Sequence, residues 1–315
     1  MERGVAPFDP VRRKARPVQD PTELFQFESD TSPSQLQELQ ASVLVVALGG
    51  FIDAGHTQRL MADHILETHE SRVIASFDVD QLLDYRGRRP VMVFDRDHWS
   101  SYDDPSLLLH RVVDKEGVPF LLLVGPEPDY QWNRMVEATT TLIRTFGVDL
   151  TVSVHGIPMA VPHTRPLGVT AHGTNPRLVT GNDPAFGTVQ VPASFSSLLE
   201  FRLGEAGLDA IGFAVHVPHY LGQSEFADAA VLGLERVRAA TGLDLAAIGE
   251  LVGGAKGVMI GNLIYNFYRG GDLPSMAAAS YLIAAVLMPF LGAGKQKVAD
   301  VSGGTITLAG AAGLA

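Results

Sequence analysis

The sequence predicts an α/β fold: a three-layer αβα sandwich whose mostly parallel sheet is covered by helices on both faces, followed by an apolar helical C-terminal tail. Three observations predict it. Short aliphatic and β-branched runs, of which Ser42 to Leu48 (SVLVVAL) is the clearest, recur as strands buried on both faces. Segments with apolar residues near a 3.6-residue period alternate with them. No repeat with a period of roughly twenty to fifty residues appears, so solenoids and propellers drop out.

Taken along the chain, residues 1–22 form a polar, proline-rich, flexible leader, and Leu24 to Glu28 adds an edge strand before an acidic turn. Ser42 to Leu48 is the first core strand, stopped by Gly49-Gly50. From Asp53 the pattern turns helical, with Leu60, Met61, His64, Ile65 and Leu66 on one stripe. Arg72 to Phe77 is the next strand. Pro90 to Phe94 and Leu107 to Val113 then read as strands with no helix between them, which predicts an antiparallel insertion. Phe120 to Val124 is a buried strand, Trp132 to Phe146 an amphipathic helix, and Leu150 to Val154 a further strand. Gly156 to Pro192 reads as one long loop rich in Pro, Gly and His, a length that points to function or to an oligomer contact. Ser196 to Ala206 is helical, Ile211 to Val215 a strand, and Phe226 to Thr241 the last helix of the body. The domain division is a leader at 1–22, an α/β domain at 23–248 and an atypical tail at 249–315.

Charge and composition exclude several function classes. The 315 residues carry 24 Lys and Arg against 35 Asp and Glu, a net charge of −11, and so offer no basic footprint for nucleic acid. The absence of cysteine excludes a disulfide scaffold, thiolate metal sites and a thiol nucleophile. The first thirty residues have neither signal-peptide nor transit-peptide character, which predicts a cytoplasmic protein. Residues 251–315 carry a net +2, leaving −13 on residues 1–250. Within that tail the 22 uncharged residues Leu273 to Gly294 are long enough for a membrane span, although Pro274, Pro289 and the many alanines equally suit a buried helix or hairpin. A membrane anchor through 273–294 is therefore the alternative to a wholly cytoplasmic chain.

In an open parallel sheet ligands bind beyond the carboxyl ends of the strands, so the turns there are the candidate sites. At Gly49, Gly50, Asp53 and Gly55 the glycines allow close approach, and the following helix offers free N–H groups that could cradle a phosphate or carboxylate. The same residues also suit a tight turn with Asp53 as a helix cap. Glu127 and Asp129, in Gly125-Pro126-Glu127-Pro128-Asp129, could divide acid and base roles, or cap the helix that follows. His155 and His216 directly follow predicted strands in similar settings, His155-Gly156-Ile157-Pro158 and His216-Val217-Pro218-His219. With His163, Arg165, His172 and His219 they could line one pocket for acid–base work or anion recognition. No metal-ligand spacing such as H-E-x-x-H is present, and no metal or cofactor is expected. Serine nucleophile chemistry lacks G-x-S-x-G, and Ser194, Ser196 and Ser197 read as a helix start.

Four stretches stand out together: Leu83-Asp84-Tyr85-Arg86 with Arg88-Arg89-Pro90; Gly125 to Asp129 with Trp132; Gly156-Ile157-Pro158-Met159-Ala160-Val161-Pro162-His163-Thr164-Arg165-Pro166; and His216 to Leu221. Taken together they resemble the PAC2 family, named after a proteasome assembly chaperone, in its actinobacterial form. The resemblance covers about residues 20–245. It implies a phosphorylase/hydrolase-like three-layer fold, self-association into homo-oligomers, and a role in binding protein partners, as in proteasome assembly. It supplies no catalytic residues. The alternative is an enzyme of nucleoside phosphorylase or hydrolase type, or the ATP-dependent ligase that family members are sometimes labelled, with a small anionic ligand at the turns above. The chain ends Gly313-Leu314-Ala315, without the hydrophobic-Tyr-any motif by which such chaperones dock on the proteasome. Residues 251–291 resemble the last membrane segment of polyamine-type ABC importer permeases, which implies a fusion or reading artefact in the tail.

Overall fold

The computed structural model describes residues 19–28, 39–179 and 187–245, together with the backbone of two short strands at 297–299 and 305–307. The chain divides into two compact units, Met1–Ala255 and Lys256–Ala315. In the second, β11 (Lys297–Ala299) and β12 (Thr305–Thr307) form an antiparallel pair. The apolar stretch 273–294 and the permease-like stretch 251–291 lie outside the described residues. Among the described residues no helix is long and apolar enough to cross a membrane.

The first unit is built on an eight-stranded sheet of β1 (Phe25–Phe27), β2 (Val43–Gly49), β3 (Glu70–Phe77), β6 (Leu108–Val113), β7 (Pro119–Pro126), β8 (Leu150–Met159), β9 (Val169–Gly173) and β10 (Asp209–Pro218), in the order β1-β3-β6-β7-β2-β8-β10-β9. The sheet is mixed, which corrects the mostly parallel expectation. Its four central strands β7, β2, β8 and β10 run parallel, while β1, β3, β6 and β9 join antiparallel. The reason is local: β6 and β7 are joined by only the turn 114–118, and a short turn can return a strand only antiparallel. The continuous aliphatic runs of β2 and β7 reflect burial on both faces, while β3, at residues 70–73, is partly open to solvent.

Among the described residues, besides the single turn Val79–Leu82, four helices cover the sheet: α1 (Thr57–Thr68), α2 (Trp132–Phe146), α3 (Phe195–Glu205) and α4 (Ala227–Thr241). Side chains alternate between faces along each strand. Leu44, Val46, Leu48, Leu121, Leu123 and Ala210 form one core with Met135, Leu142 and Phe146 of α2 and with Leu199 and Leu203 of α3. On the other face Gly233 of α4 packs so closely on Val154 and on Met61 of α1 that a Cβ there would press into both. Residues 19–28 are tied to the body by buried Arg134, whose guanidinium donates to the Asp20 carbonyl, Gln19 and Gln81 and pairs with Glu23.

Two expectations need correction. The antiparallel insertion is present, but its first strands form a separate hairpin, β4 (Met92–Asp95) and β5 (His98–Tyr102), apart from the main sheet. The stretch Gly156 to Pro192 is not one loop, since β8 runs on to Met159, β9 follows, and Pro176–Val179 forms a 3-10 turn. Prolines and glycines hid the strand character of Ile157 to Met159 and of Val169-Thr170-Ala171.

Candidate functional site

The carboxyl ends of β2, β7, β8 and β10 lie at one edge of the sheet, where the candidate turns meet. Each turn is closed by the chain itself. Asp53 stands before α1 and its carboxylate accepts from Gln58 N at 2.8 Å and from Arg59 N at 3.4 Å. The free amides that could hold an anion are thus occupied by an aspartate of the same chain. Burial pushes the Asp53 carboxyl upward, against the lowering effect of these amide bonds, of His56 and of the Gly156 amide. The glycines serve close approach to protein atoms: a side chain at Gly50 would collide with the Glu127 carboxylate, and one at Gly156 with the Ala54 carbonyl.

Glu127 is likewise consumed by the fold. It is buried, its Oε1 accepts from Phe195 N at 2.6 Å, and its Oε2 accepts from Phe51 N at 3.2 Å. One carboxylate therefore ties the turn after β2 to the first residue of α3. Ser194 Oγ takes a second amide of α3, from Ser197, as the serine pattern predicted. Asp129 accepts from Asp84 N at 2.8 Å and pairs with Arg88 at 2.9 Å, while Arg88 also donates to the Glu127 carbonyl. The two carboxylates act as clamps on neighbouring loops, and no contact between their side chains sets up shared acid–base work.

The histidines do not converge on one pocket. His155 and His216 lie inside β8 and β10, not after them, and the register puts both on the face covered by α3. His155 stands 6.0 Å from His172, ring centre to ring centre, and His172 Nδ1 is 2.9 Å from the Glu200 carboxylate on α3. His216 Nε2 meets Thr170 Oγ1 at 2.8 Å. His163 bonds through Nδ1 to the Tyr220 hydroxyl at 2.8 Å, and His219 stacks edge-on against the same ring. Arg165 lies exposed in the loop after β8, without a described ion pair. Glu200, Tyr220 and Gln58 were not legible as members of this region. Glu200 sits on a helix whose polar and apolar residues are hardly segregated, and only the topology brings it to His172.

Between Gly50, Phe51, Gln58, Glu127, His155 and Ser196 remains a cavity of about 10 Å³, the space of a single water molecule. No nucleoside or nucleotide fits it. Among the described residues no group of three or more His, Asp or Glu side chains is placed to hold a metal.

His155 makes a measurable prediction. Burial, with a smaller contribution from His172, lowers its pKa from 6.5 to about 4. As pH falls, the unfolded chain therefore takes up this proton first. The contribution of His155 is complete above its ordinary value of 6.5 and is lost as pH falls through the window down to about 4. The expected loss across it is about 3 kcal/mol. Urea unfolding of wild type and His155→Gln at several pH values checks this: the variant should show the shallower decline, and parallel curves would refute it.

Comparison with known proteins fits this geometry. The PAC2 family model matches residues 47–258, about two thirds of the chain. The chain belongs to the PAC2 family. No curated protein matches it. Among solved structures, the chain is similar to a Mycobacterium tuberculosis protein of unknown function, Rv2714, with 38% identity, TM-score 0.70, and coverage of 88% of this chain and 94% of that one. A Corynebacterium glutamicum protein of unknown function is 32% identical, with TM-score 0.69 over 85% of this chain and 98% of that one. The Mycobacterium tuberculosis proteasome-assembly chaperone homologue Rv2125 shares the fold at 21% identity, TM-score 0.62, over 68% and 91%. None of the comparisons supports a permease origin for residues 251–291, and the family match itself runs into that stretch as far as residue 258.

Proposed function

We propose that this PAC2 protein works by binding protein partners, as an assembly-chaperone-like factor of the cytoplasm, and not by catalysis on a small molecule. One observation carries the reading. At the sheet edge where a phosphorylase or hydrolase of this architecture would hold its anion, the helix N-termini of α1 and α3 are filled by Asp53 and Glu127, and the space between them takes one water. The turns that follow β2, β7 and β10 and the segment before α3 expose large apolar side chains: Phe51 (73% exposed), Tyr130 (50%), Tyr220 (49%) and Val191 (73%). Exposed aromatic side chains at one end of the sheet suit contact with another protein. Family membership and the fold shared with a proteasome-assembly chaperone homologue support the same reading.

The test pairs two measurements. In a thermal-shift screen of the full chain against nucleosides, nucleotides, phosphate and divalent metals, no ligand should raise the midpoint. A true ligand at a hundred times its dissociation constant would add about 2.7 kcal/mol. In affinity capture from native extract, Phe51→Ser with Val191→Ser should lose proteins that wild type retains, at unchanged stability, because both side chains are 73% exposed. A reproducible shift that disappears in Asp53→Ala would turn the reading to the enzyme alternative.

A further inference from the structure

β3 and β6 run antiparallel and set Arg72 directly opposite Arg111, so both side chains leave the same face of the sheet. The pair stands beside the start of β7, where Arg111 is in register with Leu121, at the end of the sheet away from the turns that follow β2, β7, β8 and β10. Like charges directly opposite one another on neighbouring strands are destabilising. Among the described residues neither arginine forms an ion pair, and the Arg111 Nε is buried with no hydrogen-bond partner. A buried guanidinium N–H without an acceptor adds a second cost. Buried Arg134 shows the contrast, with an acceptor at each of its three nitrogens. An anion between Arg72 and Arg111 would remove both costs at once.

An open groove of about 390 Å³ runs over the pair, bordered by Leu39, Glu70, Ser71, Arg72, Arg111 and Val113. Its charge selects the kind of anion. Glu70 lies two residues before Arg72 on the same face, opposite Val113, so two arginines against one glutamate leave a net +1. That matches the single charge of a carboxylate. A phosphate monoester, with a charge of about −1.5 to −2 at neutral pH, would be repelled by Glu70. Guanidinium groups also donate in pairs to the two oxygens of a carboxylate, which gives the contact direction as well as charge. Leu39 and Val113 offer apolar wall to whatever chain carries the carboxylate. The volume is of the size that holds a small molecule or the last few residues of a peptide.

We infer that Arg72 and Arg111 form a binding site for a carboxylate carried on an apolar chain, with Glu70 setting the charge of the ligand it takes. The site lies apart from the exposed aromatic residues at the other end of the sheet and does not rest on their role. Isothermal titration calorimetry of the full chain tests it with three probes: hexanoate, an acetylated tripeptide that ends in leucine with a free carboxylate, and the same tripeptide amidated. At least one of the two carboxylates should bind, and the amide should not. A peptide bound more than tenfold tighter than hexanoate places the ligand at the chain end of a partner protein, and a smaller ratio places it among small organic acids. Arg72→Gln and Arg111→Met should each weaken binding about tenfold or more. Each should also raise the melting temperature of the unliganded protein by about 1–3 °C, because the opposed charges are gone. Glu70→Gln should let inorganic phosphate bind where wild type does not. A wild type that binds neither carboxylate, an amide that binds as well as the acid, or Arg111→Met binding as tightly as wild type overturns the inference. Wild type that prefers phosphate to both carboxylates overturns the ligand class. A fall in melting temperature in both arginine variants would show a pair that serves the fold and overturns the site.

Discussion

Replacing Glu127 by alanine is expected to destabilise the first unit by about 3 kcal/mol or more, the sum of two backbone amides left in a buried site at about 1–3 kcal/mol each. The amides are those of Phe51 and Phe195, and one carboxylate serves both. They belong to segments 144 residues apart in sequence, so the loss is not confined to a single turn. Without Glu127 the turn after β2 and the start of α3 lose their common anchor, and Gly50 no longer faces the carboxylate it is packed against. Glu127→Gln should cost less, about 1–2 kcal/mol, because its carbonyl oxygen still accepts one amide while its NH₂ group faces another donor. Urea titration with the slope monitored gives both numbers. An alanine variant within about 0.5 kcal/mol of wild type would show that these amides find other partners and that Glu127 is free for chemistry. A severe loss that glutamine partly restores is the structural signature.

How much of this was legible in the sequence follows from where the deciding forces act. Local periodicity was sufficient for Trp132 to Phe146, whose helix has the predicted limits, and for the aliphatic strands β2 and β7, because their patterns come from burial on both faces. It failed for strand direction. An aliphatic strand reads alike whether its neighbour is parallel or antiparallel, and only the helix-free run from Pro90 to Val113, with the short 114–118 turn after it, pointed to the antiparallel part of the sheet. It failed again between Gly156 and Pro192, where β8 tolerates Pro158 and the strand Val169–Gly173 hides among turn residues.

The candidate site was legible as a place and not as a role. Gly50, Asp53, Glu127 and His155 do gather at one sheet edge, as the carboxyl-end rule predicts. A sequence cannot distinguish a carboxylate that awaits a ligand from one that caps its own helix, since both stand after a strand and before a helix. That choice is made by side-chain reach across the sheet, as in the bonds from Glu127 to Phe195 and Phe51. The pairing of His172 with Glu200 likewise depends on α3 lying over β9 and β10, a contact with no local trace.

Gly156→Ala should be nearly as severe as the loss of Glu127, for a reason of space and not of bonding. The residue sits in β8 directly beneath the turn Ala54–His56, and an added methyl would overlap the Ala54 carbonyl and stand 2.6 Å from Thr57 Oγ1. Neither neighbour can yield cheaply: one is backbone, and the other is a hydroxyl whose own bond to the Ala54 carbonyl, at 2.8 Å, is buried. The turn must rise from the sheet, and the amide contact between Gly156 and Asp53 rises with it. Forced overpacking of this kind costs about 1–3 kcal/mol and can exceed it when backbone has to move, so about 3 kcal/mol is expected. Gly187→Ala is the control, since nothing lies within 4 Å of a methyl there, and it should leave stability unchanged. Thermal and urea unfolding of the two variants decide the matter. If Gly156→Ala is tolerated like the control, the turn is not seated on β8. If it is costly and the folded fraction also loses captured partners, the turn that carries Phe51 depends on this close backbone contact, and the glycine acts on binding through position alone.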